Sequence, residues 1–196
     1  MNYLEQVKEE NLPLQEVPWG CRVPKVCLAA VKQDGQALEY VPNNLRTPKM
    51  CSSALSQNGR ALVYVPWSLR TPELCLTSVK QDGYALEWVP PEIETFEMCL
   101  AAVRQRGEAL YEVPRGYQTP EICLIAVKGN GYSLMYVPQG LRTPELCLAA
   151  VNESGGSLAY VPQKLKTPEV CLAAIKQWSY AIQYSPYSIL ELMSLA

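Results

Sequence analysis

The cysteines of this chain constrain its fold more than any other feature, because seven of them recur at one fixed interval. Each is 24 residues from the next, and no insertion interrupts the series over its seven copies. A fixed period of this length indicates a repeat protein, in which each repeat packs mainly on its neighbours. The series comprises Cys27, Cys51, Cys75, Cys99, Cys123, Cys147 and Cys171.

Each repeat carries the start and stop signals of one helix of about three turns. A Thr-Pro pair such as Thr71-Pro72 suits the N-cap and the first helical position. About ten residues later comes a glycine such as Gly83, which we interpret as a left-handed residue that ends the helix. The same interpretation applies to Asn11 in the divergent first repeat and to Gly35, Gly59, Gly107, Gly131 and Gly155.

The segment after each glycine is short, because a proline follows it. Ala85 to Val89 precedes Pro90, and a residue before proline disfavours the helical region. We therefore predict a second, short helix followed by a 3₁₀-like corner. The alternative is a strand, which would give an α/β horseshoe of the leucine-rich type. Tyr and Val in this segment favour the strand, whereas Ala, Leu, Glu and the missing asparagine ladder favour the helix.

These signals predict an all-α fold, an α-solenoid of 24-residue α/3₁₀ repeats with about eight units. We expect a single repeat domain over residues 1–196, with a degenerate polar cap repeat at 1–18, seven repeats at 19–186 and a C-terminal cap helix at 187–196. The segment Ile189–Leu195 is more apolar than a cap requires. We expect it to fold back over the last helix, to mediate a dimer contact, or to mark a point of truncation.

Composition argues against several classes of function. With 17 basic and 19 acidic residues the net charge is −2, which gives no reason to expect a nucleic-acid partner. Histidine, the commonest general base and metal ligand, is absent from the sequence. The charged N-terminus does not resemble a secretory signal, and no apolar run suits a membrane span. We expect no membrane partner, no cofactor, no metal and a reducing, cytoplasmic environment.

The repeated cysteine is expected to be a small buried hydrophobe rather than a disulfide or a metal ligand. Helices stacked at the usual spacing place equivalent residues about 8–10 Å apart. A disulfide requires Cα atoms within about 7 Å, and a metal requires thiolates that converge on one point.

Charged residues also recur once per repeat, as a solvated edge would. We expect Arg70 with Glu73, and Arg142 with Glu145, to form ordinary surface ion pairs. No phosphate loop or catalytic constellation is present, so we predict that the chain is not an enzyme.

Positions at which the repeats differ are the better candidates for function, because scaffold positions must repeat. Two such positions follow the glycine and the Val-Pro corner, and aromatic residues recur at them every 48 residues. That interval indicates an older duplication of a two-repeat unit. Exposed aromatic and arginine side chains are favoured anchors at interfaces. The predicted binding residues are Trp19, Arg60, Trp67, Tyr84, Arg115, Tyr132 and Tyr180; alternatively, these rings pack across adjacent corners.

The strings TPELCLTSVKQDGYALEWVP and LRTPELCLAAV resemble the repeats of a bacterial family, domain of unknown function 4116. The resemblance extends from about Val17 to Pro186. It implies a tandem array of the kind found in proteins of intracellular bacterial pathogens, and hence a secreted effector that works in a host cytosol. It supplies no active-site residues.

Our leading hypothesis is a non-enzymatic scaffold that binds a protein or peptide, with a host protein as one candidate, along one edge or its concave face. One alternative is a helical repeat that reads nucleic acid one base per layer, which requires a basic stripe. The other alternative is an enzyme, or the regulatory or targeting arm of a larger enzyme.

Overall fold

The computed structural model of the protein describes residues 2–195 and confirms an all-α solenoid fold, with no strand among those residues. Met1 and Ala196, the outermost residues of the two predicted caps, lie outside the described residues. The chain divides into two compact units, Met1–Ala101 and Ala102–Ala196.

The first unit contains helices α1 (Tyr3–Glu9), α2 (Pro24–Gln33), α3 (Pro48–Gln57), α4 (Pro72–Gln81) and the start of α5 (Phe96–Gln105). Its 3₁₀ helices are Leu14–Glu16, Trp19–Cys21, Gly35–Tyr40, Asn43–Leu45, Gly59–Tyr64, Trp67–Leu69 and Gly83–Trp88. The second unit contains α6 (Pro120–Gly129), α7 (Pro144–Glu153), α8 (Pro168–Gln177) and α9 (Ile189–Leu195). Its 3₁₀ helices are Gly107–Tyr111, Arg115–Tyr117, Gly131–Tyr136, Gln139–Leu141, Gly155–Tyr160, Gln163–Leu165 and Ser179–Tyr184.

Each repeat thus has one α-helix, one long 3₁₀ helix and, in most repeats, one short 3₁₀ helix at the corner. Within each unit the α-helices pack on the α-helices of the next repeat, and the long 3₁₀ helices pack on one another, so that two layers form. The predicted order of long helix, short helix and corner is confirmed, and the strand alternative is wrong. Proline after each Val ends the second helix at one or two turns.

Side chains cap both kinds of helix. Threonine caps the α-helices as predicted, and Thr71 Oγ1 accepts the backbone N–H of Leu74 at 3.4 Å. Where the residue before the glycine is Asp or Asn, it caps the long 3₁₀ helix in the same way, and Asp82 Oδ1 accepts from the Tyr84 N–H at 3.1 Å. These caps satisfy N–H groups that a helix start leaves without partners. The other threonine caps are Thr47, Thr95, Thr119, Thr143 and Thr167.

The repeated cysteines are buried free thiols, in agreement with the prediction that they are small core residues. All seven are 0% exposed, and burial raises the pKa of the Cys75, Cys123 and Cys147 thiols to about 11. An apolar neighbourhood penalises the thiolate, which is the reactive form. Cys21 lies outside this series and is partly exposed.

The interpretation of the repeated glycines as left-handed residues is wrong. No glycine among the described residues has a positive φ, whereas Asn11 does, at 54°. Glycine is instead required because the backbone of the next repeat lies too close. A Cβ at Gly131 would collide with the carbonyl oxygen of Ala150, in the last turn of α7. Ser179 takes the glycine position in the last repeat, where it is exposed.

The C-terminal helix α9 folds back on α8, as one of the expectations for Ile189–Leu195 stated. Leu192 makes this contact and is 2% exposed. Ile189, Leu190 and Met193 remain 58–80% exposed. The dimer contact stays a prediction.

Gly131→Ala is expected to lower the free energy of unfolding by about 1–3 kcal/mol, because the added methyl group overpacks the junction between repeats. Gly140→Ala is the matched control, since nothing lies within 4 Å of its Cβ position. Urea unfolding of both variants measures the difference. Equal stabilities of the two variants would show that close approach is not what requires glycine.

A thiol reagent at pH 8 should modify Cys21 of the native chain quickly and the other seven cysteines only on unfolding. Those seven are buried in the core, while Cys21 is partly exposed. The absorbance of the thiol that the reagent releases gives the number of cysteines modified. Cys21→Leu, which installs the residue found at Leu45 and Leu69, should remove the fast phase, and a remaining fast phase would contradict the assignment.

Candidate functional site

All seven predicted binding residues lie on 3₁₀ helices. Trp19, Trp67 and Arg115 are the first residues of short 3₁₀ helices. The others are second residues of long ones: Arg60, Tyr84, Tyr132 and Tyr180. We call the exposed side chains of these helices the 3₁₀ edge of each unit.

An arginine next to the short 3₁₀ helix joins consecutive repeats. Arg70 Nε donates to the Val65 carbonyl at 3.0 Å, and Nη2 donates to Val63 at 3.4 Å. Its Nη1 donates to the Trp88 carbonyl at 2.7 Å, and Trp88 belongs to the next repeat. Three further arginines make the same three bonds at 2.6–3.2 Å: Arg22, Arg46 and Arg142. We call these positions, with Lys166, the arginine column.

The expected ion pairs of Arg70 with Glu73 and of Arg142 with Glu145 are wrong. The described residues show both guanidiniums bonded to backbone carbonyls. Hydrogen bonds from its own backbone N–H and from the Thr71 hydroxyl lower the pKa of the Glu73 carboxyl. The arginine is therefore part of the scaffold, and the glutamate belongs to the helix start.

The arginine column fixes two exposed indoles in the first unit. The Arg22 guanidinium carbon lies 5.0 Å from the centre of the Trp19 ring, and that of Arg70 lies 4.5 Å from the Trp67 ring. Both distances allow a cation–π interaction. The indoles nevertheless remain 65% and 57% exposed. Because each guanidinium is itself fixed by three carbonyls, each indole rests on a rigid support.

Arg60 and Tyr84 form a second cluster in the first unit. The Arg60 guanidinium pairs with the Asp82 carboxylate at 2.5 Å and lies 5.7 Å from the Tyr84 ring. Asp82 also caps the 3₁₀ helix that carries Tyr84. This part of the edge therefore packs across adjacent corners, as the alternative interpretation held.

The predicted residues of the second unit lie at separate places. Tyr132 is 45% exposed and its ring lies against Gly156 of the next repeat. Tyr180 is 70% exposed and stacks on Trp178 with 5.9 Å between ring centres. Arg115 is exposed at the rim of a concavity.

Sequence reasoning missed a column of half-buried aromatic residues at the ends of the long 3₁₀ helices. Four of them line concavities: Tyr64 and Trp88 one of about 280 Å³ in the first unit, and Tyr136 and Tyr160 two of about 490 and 480 Å³ in the second. Their 24-residue period made them resemble scaffold, which hid their exposure. The column comprises Tyr40, Tyr64 and Trp88 in the first unit and Tyr136, Tyr160 and Tyr184 in the second.

The described residues contain no cluster of three or more Cys, Asp or Glu that suits a metal ion. None of their helices combines the length and apolar character needed to cross a bilayer. What the edge offers is exposed aromatic area, fixed cations and backbone carbonyls, a combination that suits binding.

The fold and edge define an all-α repeat protein, and its family follows from comparison with known proteins. The family model described as Domain of unknown function (DUF4116) matches residues 24–70, 71–118, 96–142 and 143–190. The chain belongs to this family, which confirms the resemblance. Each match spans about two repeats, and two matches overlap at residues 96–118. No curated protein and no solved structure matches the chain.

Arg70→Gln is expected to lower the free energy of unfolding by about 2 kcal/mol, because a shorter side chain leaves the Trp88 carbonyl without its donor. Arg115→Gln changes an exposed side chain and should alter stability by less than about 0.5 kcal/mol. Denaturant unfolding compares the two variants. A loss of equal size in both would show that the column does not join the repeats.

Proposed function

We propose that the chain is a non-enzymatic repeat scaffold that binds a protein or peptide along its 3₁₀ edge. The observation that carries this proposal is the pair of exposed indoles, Trp19 and Trp67, each held on a fixed guanidinium. Tryptophan is among the residues most enriched at binding hot spots. An indole fixed before binding loses little conformational entropy on binding.

The spacing of the two indoles indicates the kind of partner. Trp19 and Trp67 are two repeats apart, which corresponds to about 16–20 Å at the usual helix spacing. An extended peptide covers that distance in about five or six residues, and a helix in about eleven to thirteen. A partner with two apolar contacts at one of these intervals fits the edge.

Two further observations support a binding role over catalysis. Histidine is absent from the sequence, and the seven repeated thiols are buried. Catalytic cysteines are accessible and have lowered pKa values, whereas burial raises the pKa of Cys27 and Cys51. The chain, on this proposal, contributes geometry rather than chemistry.

The family resemblance and the free thiols support a role as a bacterial effector module in a reducing cytosol, with a host protein as partner. Eight unpaired cysteines suit a compartment that keeps thiols reduced. Host-cell lysate is therefore the source of partners for the experiment.

Replacing Trp19 and Trp67 by Asn, the residue found at the equivalent Asn43, should weaken partner binding at least tenfold. Affinity capture from host-cell lysate, followed by titration of the captured partner, measures this loss. Melting temperature and helical signal should stay unchanged, because the fold already accepts Asn at this corner.

Trp178→Asn is the matched control. It removes an exposed tryptophan that lies outside the short 3₁₀ helices and installs the residue found at Asn58 and Asn130. A partner that binds the wild type and this control but not the double variant supports the proposal. If the double variant retains every partner with unchanged affinity, the indole pair is not the binding site.

A further inference from the structure

The arginine column is interrupted in the second unit, where Gln118 takes the position. In the neighbouring repeats Arg142 and Lys166 reach forward 18 residues and donate to the carbonyls of Tyr160 and Tyr184. The carbonyl at the corresponding place for Gln118 is that of Tyr136. Glutamine is too short to take over the full set of bonds.

Among the described residues, the side-chain amide of Gln118 donates hydrogen bonds only to carbonyls of its own repeat. Its Nε2 donates to the carbonyls of Leu110 at 3.2 Å and Val113 at 2.8 Å. Within residues 2–195, no donor reaches its Oε1, although the residue is only 8% exposed. The Tyr136 carbonyl likewise receives no hydrogen bond from the described chain. A buried acceptor without a donor, such as Gln118 Oε1, is costly and uncommon.

A concavity of about 490 Å³ lies above these acceptors. The next repeat has a concavity of similar size, about 480 Å³; Arg142 lines both openings, and at the second it already donates to the Tyr160 carbonyl. The two openings are therefore a feature of the repeat. What distinguishes the first is the absence of the column arginine beneath it.

The walls of this concavity suit a planar cation. The rings of Tyr111 and Tyr136 meet edge-on with 5.3 Å between centres, and both line the opening. Glu112, at a position that is aromatic in the other repeats except the first, which has Glu16, adds a carboxylate to the lining. Two arginines oppose a cation here. Arg115 is exposed at the rim, where solvent and salt screen it, and the Arg142 guanidinium also lines the opening but is already bonded to three backbone carbonyls.

We propose that this opening, the Gln118 slot, binds an arginine side chain of the partner, which takes the place of the missing column residue. A guanidinium presents several donors in one plane and packs against aromatic rings. It supplies hydrogen bonds to the Tyr136 carbonyl and to Gln118 Oε1. The inference rests on the proposed function only in taking this arginine to belong to a protein or peptide.

The probe for the slot is the blocked tripeptide acetyl-Gly-Arg-Gly-amide, with a citrulline peptide of the same length as its uncharged counterpart. Titration into the ¹⁵N-labelled full chain is followed by NMR. The arginine peptide should give saturable shifts of the Gln118 side-chain amide and of Val137, and the citrulline peptide should bind at least tenfold more weakly. The absence of saturable shifts with the arginine peptide overturns the proposal.

Gln118→Arg fills the slot from within the chain. It should raise the melting temperature by a few degrees and weaken the binding of the arginine peptide at least tenfold. Gln118→Lys, which installs the residue found at Lys166, is the second variant should the arginine variant fail to fold. Lys128→Gln, which removes an exposed cation of α6 outside the slot, should keep the binding. A lower melting temperature in both slot variants, or unchanged peptide binding in either, refutes the slot.

The outcome is separable from that for the indole pair. Peptide binding uses the second unit, and the Trp19 and Trp67 variants change the first. Loss of partner capture in those variants with no tripeptide binding leaves the proposed function standing and removes the slot. Tripeptide binding together with unchanged partner capture by those variants supports the slot and removes the indole pair as the binding site.

Discussion

The hydrogen bonds of the arginine column are the interaction on which the rest of each unit depends. A 3₁₀ helix of six residues leaves carbonyls at its end without partners. In this chain the guanidinium of the preceding repeat supplies the donor, as Arg70 does for Trp88. Each layer therefore completes the next, and a repeat alone would have unsatisfied carbonyls. Apolar packing of the α-helices adds stability, and the column adds hydrogen bonds between consecutive 3₁₀ layers.

The same column orients two exposed indoles of the 3₁₀ edge. Trp19 and Trp67 are large, exposed and placed on guanidiniums that backbone carbonyls fix. An exposed indole on a flexible corner would sample many orientations and lose entropy on binding. Here a residue required for stacking also orients a residue available for recognition. The scaffold and the exposed 3₁₀ edge, which we propose as the binding surface, are thus built from adjacent positions of one repeat.

Sequence reasoning reached the architecture because its signals are local. The Thr71 cap, the Pro72 helix start and the proline after Val89 each act within a few residues, and the structure confirms them. The role of Gly131 was mistaken because the constraint comes from Ala150, 19 residues away in the next helix. Arg70 was mistaken for a surface charge for the same reason, since its key acceptor lies 18 residues ahead. A period reveals that a position repeats, but not which atoms it meets.

Departures from a repeated position are therefore more informative than the repeat itself. The column requires donors, and two residues break the rule in different ways. Gln118 keeps a donor but cannot reach the next repeat. Glu94 places an acid there, and burial raises the pKa of its carboxyl despite the hydrogen bond from the Cys99 thiol. The raised pKa keeps a proton, and with it a donor, on Glu94 to a higher pH than usual. The Gln118 substitution gives up the bond to the next repeat that an arginine makes. A position that gives up stability in a fold built by repetition is where a function is most reasonably sought.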